Sequence, residues 1–395
     1  MAAEKSRELK QRAWDKIRQD EQKYRRLALD ILAHPELGYQ EVRSSRLLRE
    51  ALEGEGFQTQ QPYGGLETAF RASRVVDAEP AVYFLAEYDA LPEIGHGCGH
   101  NLIGAAAAAA AAGTGTVLQD TGGAVGVIGT PAEEYLGEEE GKVKLLQADA
   151  FRDVTVALML HPSTRRQVMG GDLGFIACDL IYRGETAHAA ADPWSGRNAL
   201  DGVIAAFNGI NALRQHVPPE VRIHGVITAG GEAPNVVPEY AAAQFMVRAA
   251  DPETLEEVYG RVCDCARAGA LSSGTELEIK RVTTVYNTRI NPTLNRLIAE
   301  NFRALGAPVD PEPYQMAASS DFGNVSQRLP AAMFMLESHP EDIPWHSRAV
   351  AEASGEEKAL EAMIRGACVM AGAAVDLLLD EALAAQVKKD FEQHE

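Results

Sequence analysis

Residues 81–112 read AVYFLAEYDALPEIGHGCGHNLIGAAAAAAAA. The first six are apolar and are bounded by Pro80 on one side and Glu87-Tyr88-Asp89 on the other, which is the length and composition of a buried strand. A glycine-rich loop follows, Gly95-His96-Gly97-Cys98-Gly99-His100, and from Asn101 the chain reads as a helix to residue 118, with unbroken alanine at 105–112. Alanine is the strongest helix former and its small side chain lets a helix lie close on a sheet, so this run reads as packing and not as low complexity. Strand, loop and close-packed helix in that order are the repeating unit of an α/β fold.

The pattern extends in both directions. Upstream, 5–33 and 40–54 read as helices, broken at His34-Pro35-Glu36-Leu37-Gly38. Downstream, 124–129 and 154–160 read as strands, with a charged helix from about Gly137 to Ala148 between them. From Gly174 the rhythm changes to strand 175–182, helix 197–216, strands 222–228 and 241–248, helix 252–272 and strand 276–283. That β-α-β-β-α-β order matches the split-βαβ unit. After Asn291, helix 294–305, strand 331–337 and a final helix 355–379 return to the first pattern. The expectation is an α/β fold: a catalytic domain, residues 1–173 and 287–395, with a mainly parallel central sheet flanked by helices, and an inserted α+β (split βαβ, ferredoxin-like) domain at 174–286.

Lys and Arg number 37 against 57 Asp and Glu, a formal net charge of −20. Nucleic acid and anionic membrane both require a basic footprint, so neither is expected as a partner, which leaves small molecules. Five cysteines (98, 178, 263, 265 and 368) are irregularly spaced. The first 26 residues are charged and lack an apolar signal core, and no apolar run of transmembrane length is read. The expectation is a reducing, cytoplasmic compartment with free thiols.

The chemistry gathers at strand ends. Strand 81–86 leads to Glu87, Asp89, Cys98 and His100; 124–129 to Glu133 and Glu134; 154–160 to His161; and 331–337 to His339 and His346. Open α/β sheets place their sites outside the carboxyl ends of the strands. Singly, each residue has a bland reading, since an acidic pair is usually solvated and a lone cysteine is usually a small buried hydrophobe. Convergence of four strand ends is what carries the argument. Cys98, His100, Glu134, His161 and His346 are competent ligands for zinc or a similar ion. Five ligands exceed the three that one catalytic zinc usually takes, and suit two cations. Glu133 is then free to act as general base and Asp89 to steady a ligating imidazole. In the inserted segment His188 reads either as a donor to an oxyanion or as a surface histidine, and Asn235 as a turn residue.

At these residues the chain resembles the di-metal aminoacylase and carboxypeptidase superfamily (zinc peptidase family twenty), in its amidohydrolase branch. The resemblance runs over nearly the whole chain. It rests on His34-Pro35-Glu36-Leu37-Gly38, Glu87-Tyr88-Asp89-Ala90-Leu91-Pro92, Cys98-Gly99-His100, Pro131-Ala132-Glu133-Glu134, His161, Ala187-His188, the stretch from Gly231 to Pro238, Ser320-Asp321-Phe322-Gly323-Asn324 and His346. It implies amide hydrolysis with two divalent cations, Zn2+ or Mn2+, held by Cys98, His100, Glu134, His161 and His346, with Glu133 as base. It implies that the inserted domain is a lid and dimerisation module, making a homodimer. His188 would then stabilise the oxyanion, in its own or the partner subunit's site, and Asn235 would contact substrate. Relatives prefer N-acyl, N-aroyl or N-β-alanyl amino acids with a free carboxylate, for which Arg248 and Arg289 are candidate forks. The wider superfamily has a His-x-Asp motif where Glu87 stands here, and a bridging carboxylate where Cys98 stands.

Two other readings stay open from the residues alone. Cys98 could be a nucleophile acidified by the following helix N-terminus. The chain could also be a non-catalytic metal- or small-ligand-binding subunit, although a pure binder has no use for an unligated Glu133.

Overall fold

A computed structural model of the chain describes residues 2–135, 139–316 and 318–393. The described strands are β1 Gln58–Gln60, β2 Phe70–Val75, β3 Ala81–Ala86, β4 Ala124–Gly129, β5 Val156–Ser163, β6 Gln167–Gly171, β7 Gly174–Arg183, β8 Arg222–Ala229, β9 Tyr240–Ala249, β10 Glu276–Val285, β11 Tyr314–Gln315 and β12 Ala331–Glu337. The larger sheet runs β1-β2-β4-β3-β5-β12-β6-β11. Its four middle strands, β4, β3, β5 and β12, are parallel, and β2 and β6 pair antiparallel on either side. Every residue of β3 and β4 is buried, as the unbroken apolar runs of a sheet covered on both faces demand.

Helix His100–Gly115 is buried along its whole length. At Gly113 an added Cβ would come within 2.7 Å of Ile17 and 2.8 Å of the Ala13 carbonyl oxygen. Small residues therefore let helix Ala2–Gln19 approach more closely than any larger side chain permits. On this helix also packs Glu357–Leu379. By length and composition it is apolar enough to cross a membrane, yet 83% of its apolar window is buried inside the fold. It is a core helix that happens to pass that test.

The smaller sheet is antiparallel, in the order β10-β7-β9-β8. Helices Ala199–Leu213 and Pro252–Ser273 cover one face. The second helix shows how sequence sets its ends. Asp251 accepts the Thr254 amide, Pro252 occupies the first turn, and Gly274 closes it at φ +66°. Along β7 the side chains alternate: Ile176, Cys178, Leu180 and Tyr182 enter a hydrophobic core separate from that of the larger sheet. Phe175, Ala177 and Asp179 occupy the opposite face, which the two helices leave uncovered.

The connections into and out of this smaller sheet are tied together. Asp172, just before β7, accepts the Thr288 amide, and its other oxygen accepts the Thr288 hydroxyl at 2.6 Å, both residues being buried. Burial pushes the Asp172 carboxyl up to about 6, against the pull of those two bonds.

Reading by periodicity misses the short elements. The strands β1, β2, β6 and β11 and helix Glu381–Glu392 go unread, because two- to six-residue strands at and next to the sheet's edges and a half-exposed terminal helix carry little apolar pattern. The first long helix is two, Ala2–Gln19 and Glu21–Ala33, meeting at Asp20. The charged helix spans Gly141–Gln147, while its expected start at Gly137 lies outside the described residues.

Replacing Asp172 with Ala strands the buried Thr288 amide, and is expected to cost about 1–3 kcal/mol in chemical denaturation, the desolvation cost of an unmet buried donor. Asp172→Asn retains an acceptor and is expected to lose less. Equal midpoints for Asp172→Ala and the parent would contradict this account of the clasp.

Candidate metal centre

The carboxyl ends of β3, β4 and β5 bring their loops together at one edge of the larger sheet. Asp89, almost wholly buried, organises them. One of its oxygens accepts from His100 Nδ1 at 2.9 Å and the other from the Glu134 amide at 2.9 Å. It thus sets both the ring of His100 and the backbone that carries Glu134. The residue before Glu133, Ala132, has a left-handed backbone at φ +61°. Its amide is held at 2.8 Å by Glu41, whose second oxygen takes the Thr68 hydroxyl at 2.8 Å. Burial, followed by the nearby Asp89, pushes the Glu41 carboxyl up to about 7. Gly99 also stands in the left-handed region, φ +72°, and a Cβ there would lie 2.9 Å from Pro162, so this position of the loop requires glycine.

Three groups of ligand atoms lie within 4.8 Å of one another among the described residues: Glu87, His100 and His161; Cys98, His100 and Glu134; and Glu87, Glu133 and Asp321. His100 belongs to two of them. Its Nε2 faces Glu87 Oε2 at 3.4 Å, and both atoms are buried without a hydrogen-bond partner. Two lone-pair atoms left unmet and facing each other fit a cation between them. His161 donates from Nδ1 to the Pro162 carbonyl at 2.9 Å, which leaves Nε2 as the ligating atom. His346 is exposed at the mouth, its Nε2 3.4 Å from Glu134 Oε1.

The electrostatics agree with that fit. Five carboxylates, Glu87, Asp89, Glu133, Glu134 and Asp321, converge, and the ammonium that meets them is Lys142, fully buried and bonded at 2.6 Å to Glu87 and 2.5 Å to Asp321. Burial opposes ionisation of Glu87, but Lys142, His100 and His161 outweigh it and hold its carboxyl below the usual range. Glu133 goes the other way. Burial, then Glu134, Glu87 and Asp321, raise it well above an ordinary carboxyl.

Cys98 is pushed up by burial and by Glu134, Glu133 and Asp89. That direction works against the reading of Cys98 as a free thiolate nucleophile. The other histidines of these loops are structural. His96 Nε2 donates to the Ile31 carbonyl at 3.1 Å, and His339 bridges Ser338, Val350 and Ser354.

The remaining site residues read from the sequence lie elsewhere. His188 and Asn235 are exposed on two loops of the smaller sheet that pair through backbone, Ala189 N to Asn235 O at 3.0 Å and Val237 N to Ala187 O at 2.9 Å. Among the described residues, no hydrogen bond or ion pair joins either to the ligand cluster. Arg248 has no carboxylate partner among the described residues; it bonds Ser319 at 2.8 Å and stands over the Phe175 ring at 5.1 Å. Arg289, read as a second carboxylate fork, is taken by the C-terminal helix instead, its guanidinium bonded to the Phe391 carbonyl and stacked 4.2 Å over the Phe391 ring. Sequence reading gives no role to Lys142, which looks like a solvated helix charge, or to Asp321. The latter carries a signal, since it stands inside the Ser320-Asp321-Phe322 stretch that shares in the family resemblance.

Residues 171–272 match the peptidase dimerisation domain of the M20 family. The chain is 36% identical to the Xaa-Arg dipeptidase of Mus musculus over 97% of this chain and 92% of that protein. It is 30% identical to a p-aminobenzoyl-glutamate hydrolase polypeptide of Escherichia coli over 96% of this chain and 94% of that one. The chain belongs to the M20 peptidase family. Among solved structures, a dinuclear metal-binding M20 peptidase from Bacillus subtilis superposes with a TM-score of 0.69, covering 91% of this chain and 99% of that one at 21% identity, a likeness of fold. This M20 peptidase is therefore a metal-dependent hydrolase of C–N amide bonds, and the acid-rich cluster is where divalent metal fits.

Removing the Lys142 ammonium leaves Glu87 and Asp321 buried and unpaired. Lys142→Met is expected to destabilise chelator-treated protein by about 3–5 kcal/mol, as breaking one side of a buried ion pair does. A loss below about 1 kcal/mol in urea titration would show that these charges are balanced by other means.

Proposed function

We propose that this M20 peptidase hydrolyses the amide bond of a small N-acyl amino acid or dipeptide whose C-terminal residue is cationic. Two divalent cations, zinc or manganese, are proposed, held by Cys98, His100, Glu134, His161 and His346, with Glu87 closing the group around His100 and His161. The observation that carries this is the pair of unmet buried atoms, His100 Nε2 and Glu87 Oε2, amid an excess of converging carboxylates. When bound, such ions acidify water and polarise a carbonyl.

The chain's own residues do the rest. Glu133 accepts a proton at a carboxylate oxygen from the attacking water and delivers it to the leaving nitrogen. Its environment supports that role, because burial and the neighbouring Glu134, Glu87 and Asp321 favour its taking up a proton. Asp89 is proposed to keep the His100 ring fixed. Arg248, a half-buried guanidinium without a carboxylate partner among the described residues, is proposed to take the substrate's carboxylate, with Asn235 as a further substrate contact. Arg289 is not proposed for that role, because Phe391 occupies it.

His188 Nδ1 accepts the Ala190 and Ala191 amides at 3.2 and 3.1 Å. In the neutral ring the proton therefore sits on Nε2, a donor ready for an oxyanion. Because the loop is exposed and, among the described residues, no hydrogen bond or ion pair joins it to its own cluster, His188 is proposed to act in the partner subunit's site. Residues 174–286 are proposed as the lid and dimerisation domain, inserted in a catalytic domain of residues 1–173 and 287–395. A homodimer through this lid is supported by large apolar side chains exposed on it, including Trp194, Ile204 and Leu271. Five free cysteines support a reducing, cytoplasmic location.

Activity on a panel of N-acyl amino acids and dipeptides is expected to vanish on chelation and return with zinc or manganese. Glu133→Gln is expected to retain metal and lose about 10²–10⁴-fold in kcat; an active variant would mean that another group is the base. Inactive Glu133→Gln and His188→Ala proteins, mixed and re-formed as heterodimers, are expected to regain activity. Mixtures that stay inactive would place His188 in its own subunit's site or outside catalysis.

A further inference from the structure

The uncovered face of the smaller sheet borders a cavity of about 380 Å³. Phe175, Ala177 and Met246 make apolar walls, Asp179 stands further along β7, and Glu140 and Thr283 close one side. Glu140 is two residues from Lys142, which holds Glu87 and Asp321, so this wall of the cavity adjoins the ligand cluster.

Its two carboxylates lack cationic partners among the described residues. Glu140 is 4% exposed, and its Oε2 accepts the Thr283 hydroxyl. Asp179 Oδ1 is buried with no hydrogen-bond partner, and Lys280, directly opposite on β10, makes no ion pair with it. Burial raises the Glu140 carboxyl to about 7, Thr283 only partly opposing. Groups left so are costly unless a partner arrives.

At the other end of the same face stands Arg248, opposite Phe175 on β9. From Phe175 to Asp179 is four residues of strand, about 14 Å between Cα atoms at the ordinary rise, and both residues line the cavity. A cation at one end, apolar walls between, the Asp179 carboxylate at the other end and the Glu140 carboxylate along one side, held by Thr283 level with Ala177, make a charge order complementary to an amino acid with a cationic side chain.

We infer that Asp179 and Glu140 read the cationic side chain of the substrate's C-terminal residue, its aliphatic stem lying along Phe175 and Met246 and its α-carboxylate on Arg248. This rests on the amide-hydrolysis reading above and adds to it the residues that select the substrate. A long cationic side chain suits the space because its stem is apolar and only its head is charged.

The test compares an Xaa-Arg dipeptide with the neutral isostere Xaa-citrulline on the metal-loaded, full-length protein. The parent is expected to favour arginine by about ten- to hundredfold in kcat/KM, the range for a hydrogen-bonded charged pair. In Asp179→Asn and Glu140→Gln that ratio is expected to fall towards one, mainly through KM on arginine. Should Asp179→Asn fail to fold, Glu140→Gln and the binding of free L-arginine against L-citrulline to the parent, by calorimetry, decide the matter. A parent that prefers arginine while the folded variants keep its ratio would overturn the inference and leave the hydrolase reading standing. So would a parent indifferent to the charge. A metal-loaded parent that cuts no dipeptide or N-acyl amino acid would overturn both.

Discussion

Negative charge converging at the edge of four parallel strands is the constraint to which the rest of this structure answers. Glu87, Asp89, Glu133, Glu134 and Asp321 meet there, with the ammonium of Lys142 as their fully buried counter-charge. Carboxylates brought out of water repel one another and lose hydration, and one lysine does not balance five of them. Divalent cations do. The arrangement of loops follows from that need: Asp89 fixes a ring and a backbone amide at once, Glu41 holds the turn before Glu133, and glycine at 99 lets the Cys98–His100 segment close on Pro162. Each of these devices costs the fold something in burial or backbone freedom, and each keeps a ligand or the base in place.

The smaller sheet answers a different requirement. A shallow edge of acids and imidazoles binds metal but does not choose a substrate. The uncovered face of β7, β8 and β9 carries the Arg248 guanidinium at one end and the Asp179 carboxylate towards the other, while its exposed loops hold a histidine whose Nδ1 is taken by two backbone amides. The clasp between Asp172 and Thr288 ties the two crossing segments at the point where this sheet meets the rest of the chain. The proposed selection and oxyanion binding thus sit on an element that is packed around its own core.

Much of this is legible in the sequence because the signals are strong and local. The strands β3, β4 and β12 can be read to the residue, their apolar runs ending sharply at acids and turns. The β-α-β-β-α-β order of the inserted segment follows from alternation and from capping residues such as Asp251 and Gly274. The ligand cluster is legible because Gly-His-Gly-Cys-Gly-His has no ordinary structural use. What escapes is whatever depends on distant packing. Lys142 looks like any solvated helix lysine until the fold places it between Glu87 and Asp321. His96 and His346 look alike in sequence, and only the structure sends one to a backbone carbonyl and the other to Glu134. Arg289 and Arg248 are equivalent candidates until Phe391 takes the first.

The central claim is that the cluster exists to hold cations. Crystals of the zinc-loaded protein, measured on both sides of the zinc absorption edge, locate the ions without reference to activity. The account predicts two anomalous peaks about 3.5–4 Å apart, both within coordinating distance of atoms drawn from Cys98, His100, Glu134, His161, His346 and Glu87. Active, zinc-containing protein whose peaks lie away from these residues, with His100 Nε2 bonded to something other than metal, would contradict it.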